Sequence, residues 1–214
     1  MSTDSPQPNY STTPSRQRIP GWVWGLAACG CLPIVAVFAL GMLATPALKR
    51  FKQAQREFGR TNVCLSNIQQ VSRGMTMYAQ DYDDRLPAAT NWMDGIMPYA
   101  ESAGAKDGSV LQCPTVQAVN PKAYGYAYNS KLSGARLTKL TGAALTPIIY
   151  DSSNLAKNAS DPQTSLPSPP RHRARRMRQG GGRLNIMGYA DGHAKAVNAQ
   201  GKSAQVPGLD TSGQ

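Results

Sequence analysis

Four kinds of side chain in this sequence could do chemistry: thiols, carboxylates, imidazoles and a run of guanidiniums. Cys64 and Cys113 are the two cysteines outside the apolar N-terminal run. In an oxidising compartment they would join as a disulfide closing a loop of about 50 residues, which stabilises a fold by restricting the unfolded chain. In a reducing compartment they would stay two buried thiols. Asp151 and Asp191, with the acidic group Asp81, Asp83 and Asp84, could offer the oxygen ligands that Ca²⁺ prefers. The plainer reading makes Asp191 a turn residue and the acidic group a helix end, because no EF-hand spacing is present. His172 and His193 are too few and too isolated to build a zinc or catalytic site. No Ser-His-Asp context, no His-Glu-x-x-His and no phosphate-cradling loop is found. No enzyme activity and no small-molecule substrate are therefore expected, and Ca²⁺ is the one cofactor considered. Arg171, Arg173, Arg175, Arg176 and Arg178 could capture an anionic ligand, a lipid headgroup or nucleic acid, since clustered arginines displace counterions from phosphates. The plainer reading is a solvated loop, and no aromatic residue interleaves to stack on bases.

The elements that must position these groups begin with a membrane segment. Residues 19–48 of the 214-residue chain carry no charge, and roughly 20 apolar residues suffice to span a bilayer. Trp22 and Trp24 suit an interfacial anchor at the start of that run. Leu26-Ala27-Ala28-Cys29 offers a competing reading, a lipoprotein signal with Cys29 lipidated. The apolar character continues from Cys31 to Leu48, which favours an uncut span. The formal charge is +11, and Lys49, Arg50, Lys52, Arg56 and Arg60 place part of it just after the run, where it would meet anionic lipid. Those five cations outnumber Arg16 and Arg18 on the other flank, and the count alone would put the C-terminal domain inside the cell.

Around the span, residues 1–18 are Ser-, Thr-, Pro- and Gln-rich and read as disordered. Residues 49–82 read as a helical stem, with Cys64, Ile68, Val71, Met75 and Tyr78 recurring at steps of three and four. The acidic cluster and Pro87 end it. A β-rich domain is expected over 83–198: a short helix or turn around Trp92–Tyr99, a strand over Val110–Pro114, a half-buried alternating strand over Tyr124–Asn129, and an apolar strand from Pro147 into Asp151. Residues 152–182 read as a long mobile loop. Asp191-Gly192 between two strand-like runs predicts a two-residue hairpin turn with both residues at positive φ. Residues 199–214 read as a flexible tail.

Taken as an ordered set, Cys64-Leu65-Ser66-Asn67-Ile68-Gln69-Gln70, Met77-Tyr78-Ala79-Gln80-Asp81-Tyr82-Asp83, Leu86-Pro87, Trp92, Pro98-Tyr99, Gln112-Cys113-Pro114, Tyr124-Gly125-Tyr126 and Tyr189-Ala190-Asp191-Gly192-His193 resemble pilin-like proteins of the type II secretion pseudopilin superfamily. The bacterial group in question ends in a His, nine residues, then Asp-Gly. The resemblance covers roughly residues 46–195. It implies an α+β fold in which a long N-terminal helix, half transmembrane and half stem, packs on a small antiparallel sheet outside the cytoplasm. It also implies a structural or interaction role beside other pilin-like or secretion proteins. The chain departs from the group in three places, one of them a stem about one helical turn longer between Pro46 and Cys64 than the group's pattern. Near Trp24-Gly25, where the prepilin peptidase site would fall, there is no Phe or Glu. Position 181, where the His should stand, is Gly, and the nearest upstream histidine is His172.

Overall fold

The structure, a computed structural model, describes residues 21–102, 108–173 and 182–202, with side chains from residue 45 onward. The expectations for residues 1–18, for Cys29 and the tryptophan anchor, for Arg175, Arg176 and Arg178, and for most of the tail lie outside those residues or side chains. Among the described residues no helix is long and apolar enough to cross a membrane, and most of the 19–48 run falls outside the described side chains. The chain divides into two units, Met1–Arg50 and Phe51–Gln214. The second carries the described chemistry.

The fold is mixed α+β. The helix α1, Gly21–Asp81, stops where the acidic cluster predicts. Asp83 and Asp84 take left-handed φ values of 52° and 63°, a conformation short polar residues tolerate better than most. Two short helices follow, α2 (Trp92–Ser102) and α3 (Pro114–Gln117). Val110 and Leu111 lie in a 3₁₀ turn, so the strand expected there is not formed. Pro114 explains the difference: it cannot donate to a strand ladder but suits the first turn of a helix.

The strands are β1 (Tyr126–Asn129), β2 (Pro147–Asp151), β3 (Ser160–Asp161), β4 (His172–Arg173), β5 (Arg183–Tyr189) and β6 (Ala194–Val197). They form one sheet in the order β3-β1-β2-β5-β4, with β6 also paired to β5. The sheet is mixed and not purely antiparallel, because β1 and β3 run parallel. Residues 130–159, which run from β1 to β3 and include β2, supply the crossover that a parallel pair needs.

One face of the sheet packs on the stem. Cys64, Ile68, Val71 and Met75 of α1 are fully buried with Tyr126, Tyr128, Ile149 and Ile186, as the helical period predicts. Tyr78 instead stays half-buried and stacks on Tyr82 at 4.2 Å. Gly188 allows the close approach of β5 to the helix: a Cβ there would stand 2.8 Å from Ile68 Cγ2.

The opposite face is also covered. Ala127, Tyr150, Ala159, Met187, Tyr189 and Val197 form a second cluster with Leu166 packed against it. This corrects two expectations. All four residues of β1 are buried, so it is not a half-buried strand. The described part of 152–182 is no free loop: it supplies β3, β4, the buried Ser152 and His172, and Leu166. Its Ser and Pro content hid the few apolar and polar residues that anchor it.

Candidate functional site

Six segments bring polar chemistry to one buried point. Cys64 comes from the stem of α1. Cys113 is fixed just ahead of α3, where its N–H donates to Tyr124 O at 2.8 Å. Asp151 is the last residue of β2 and His172 the first of β4, with Arg171 just before it. Tyr126 comes from β1 and the Ile186 amide from β5. Asn185 sets the approach of the Arg171 segment: its carbonyl accepts from Arg171 N–H at 3.0 Å and its amide donates to Pro167 O at 3.0 Å.

The carboxylate is the hub. Asp151 is fully buried. It accepts from Arg171 Nη1 at 3.1 Å, from His172 Nε2 at 3.0 Å and from Ile186 N–H at 2.6 Å. Arg171 also donates to Gly125 O at 2.7 Å and to Ser152 O. His172 Nδ1 lies 3.3 Å from Thr115 Oγ1. Cys113 Sγ lies 4.0 Å from His172 Nε2 and 2.9 Å from Cys64 Sγ, and the two thiols are unbonded. Tyr126 Oη is buried beside them, against Cys64.

The charges follow from burial working against neighbours. Burial alone would raise Asp151, but His172, Arg171 and the Ile186 amide together hold it below the usual carboxylate range. Burial would lower His172, and Asp151 and Cys113 override it, lifting the imidazole to about 9. Burial would raise Cys113, and hydrogen bonds from Cys64 and His172 bring it below the ordinary thiol value. Burial and the neighbouring Cys113 push Cys64 well up. The buried carboxylate of Asp151 is thus balanced by His172 and Arg171, and the same imidazole favours charge on Cys113 over Cys64.

Cys64, Cys113 and His172 are also the described residues that could hold a metal, with one donor atom from each all within 4.8 Å of one another. Thiolate and imidazole donors would suit zinc.

The sequence-predicted residues fare unequally. Cys64 and Cys113 meet. Asp151 and Asp191 do not: they stand at opposite ends of the β2–β5 pairing, and the oxygens of Asp151 are already occupied by donors. No calcium site forms from that pair. The arginine run is divided as well. Arg171 turns inward to Asp151, and Arg173 pairs with Glu57 at 3.0 Å. An inward guanidinium cannot also face a ligand in solvent.

The hairpin forms at Asp191-Gly192, with a different turn. Tyr189 N–H donates to His193 O and Gly192 N–H to Tyr189 O, each at 2.9 Å. Of the two residues only Gly192 has positive φ, 89°. This is a three-residue loop with a glycine bulge, not the two-residue turn. His172, read as isolated, is the residue that sequence reasoning missed. The available signal was Asp151 itself: a carboxylate closing a buried apolar strand requires a cationic partner.

No family model, curated protein or solved structure matches the chain.

Proposed function

We propose that the chain is a single-pass, membrane-anchored, pilin-like protein of the bacterial cell membrane. Its C-terminal domain lies outside the cytoplasm and has a structural or interaction role in a secretion, pilus-like or surface assembly. The observation that carries this reading is the stem: the apolar stripe Cys64, Ile68, Val71 and Met75 of α1 is buried in the same core as the strands of the sheet. A helix that continues an apolar N-terminal run and then becomes the spine of an α+β domain suits a tethered head better than a free enzyme. The ordered motifs from Cys64 to His193 add the family resemblance. Under this reading Asp151, with its partners Arg171 and His172, holds the domain together, since Asp151 and His172 are fully or almost fully buried.

The test uses the full chain expressed in bacterial cells. The protein should stay with membranes through an alkaline carbonate wash, and protease added to intact spheroplasts should digest the domain after residue 50. Release by carbonate, or protection of the domain until the cells are lysed, would overturn the reading.

A further inference from the structure

We propose that Cys64 and Cys113 form a redox site: a disulfide when oxidised and, when reduced, a thiol pair in which Cys113, the sulfur that faces His172, attacks first and Cys64 resolves. The presence of the oxidised form in the cell rests on the export reading above. The chemistry of the pair does not.

Geometry comes first. The two sulfurs are 2.9 Å apart and fully buried. A bonded pair stands at about 2.05 Å, so movement of about 1 Å closes it. The groups facing Cys113 then assign the roles. Cys64 faces it from α1, Tyr126 from β1, Asp151 from β2, and His172 and Arg171 from the β4 segment. His172 is the cation 4.0 Å from the sulfur. The charge of Asp151 would oppose a thiolate, but Arg171 and His172 neutralise it. Cys64 has no cation of its own and stays a thiol. A metal fits less well. Nε2 of His172, 4.0 Å from Cys113 Sγ, is already committed to Asp151 at 3.0 Å. Ligating through it would strip a donor from a buried carboxylate.

The oxidant is a disulfide of the exterior compartment. The Cys113 thiolate attacks one of its sulfurs and expels the other as a thiolate. Cys64 then loses its proton, attacks the Cys113 sulfur of the mixed disulfide and expels the second thiolate. Two protein thiols are oxidised and one disulfide is reduced to two thiols. Because both protein sulfurs are buried, the exchange runs before α1 docks or during local opening.

The test equilibrates the full chain in detergent micelles with mixtures of reduced and oxidised glutathione at neutral pH. Samples are acid-quenched, alkylated and read by mass after digestion. A Cys64–Cys113 cross-linked peptide, two hydrogens lighter than the free pair, is expected. As the pH is raised, the first thiolate ultraviolet absorbance of the fully reduced protein should be one that Cys113→Ser removes and Cys64→Ser retains. His172→Gln should shift the balance toward the disulfide by about tenfold or more, because the open form loses the cation that stabilises it. If His172→Gln fails to fold, the two serine variants decide alone. Absence of the cross-link at every glutathione ratio, cross-links to Cys29 or Cys31 instead, thiolate absorbance that follows Cys64, or a zinc ion that copurifies and blocks oxidation would each overturn the proposal. Closure in micelles combined with reduced thiols in cells would support it and count against the export reading.

Discussion

The chain contains two Asp–His pairs, and they differ in almost everything except residue type. Asp151 and His172 meet at 3.0 Å with both side chains fully buried. Asp191 and His193 meet at 2.5 Å on the β5–β6 hairpin, with side chains 36% and 23% exposed. The exposed pair is local, two residues apart, and the His193 ring also stacks on Tyr189 at 4.4 Å. The buried pair joins two strands that are not neighbours in sequence and draws in Arg171, the Ile186 amide and Cys113. The shorter contact is the less consequential one. Water screens the hairpin pair, so forming or losing it changes little. No water screens the inner pair, so removing one partner strands a charge.

The largest break in that comparison should come from Asp151→Asn. It leaves Arg171 and His172 facing each other without their anion, and a loss of about 3–5 kcal/mol is expected in urea unfolding of the full chain. A loss below that of Asp191→Asn would remove the distinction between the two pairs.

Next comes pH. His172 titrates at about 9 in the folded protein against an ordinary 6.5. Its contribution is fully present below about 6.5 and fades as the pH rises through about 9, a loss on the order of 3 kcal/mol. In a Cys113→Ser background, which removes the opposing contribution of the lowered thiol, unfolding midpoints should fall between about pH 6 and 9, and most of that slope should vanish when His172→Gln is added. Asp151 works in the other direction: its contribution is present above 3.8 and fades as the pH drops through its lowered folded value.

Gly192→Ala sharpens the hairpin side. With φ at 89°, an alanine is strained by about 1 kcal/mol; an unchanged melting midpoint would mean that the turn readily adopts another form. Asp191→Asn should be the mildest, within about 1 kcal/mol, visible mainly as altered His193 imidazole signals in NMR.

The same contrast explains what was legible in the sequence. The stem stripe, the end of α1, β2 ending at Asp151 and the β5–β6 hairpin all rest on local periodicity or turn chemistry, which a sequence carries openly. The hairpin's loop length was misread because Asp-Gly serves both a two-residue turn and a three-residue turn with a bulge, and only strand register separates them. The buried cluster rests on residues far apart, and the segment carrying Arg171 and His172 looks like a loop by composition. Its anchors are Asn185, which holds the Arg171 backbone, and Leu166, which covers the second core. Neither shows any period. The apolar face of Gly188 was equally silent, since a glycine in a strand does not announce the helix it lets in.

The position of β5 in the sheet also sets an order of events. It pairs with β2, β4 and β6, yet its residues, Arg183–Tyr189, are synthesised after the stem, β2 and β4. The stem, made more than a hundred residues earlier, must wait with Ile68, Val71 and Met75 uncovered until Gly188 and Ile186 arrive. Long-range pairing of this kind is slow to form. During that interval a nascent chain has an apolar helix face available to chaperones, to the bilayer surface or to a second nascent copy. Chains stalled before residue 183 should therefore be cut by protease within the stem, and chains released after residue 197 should resist.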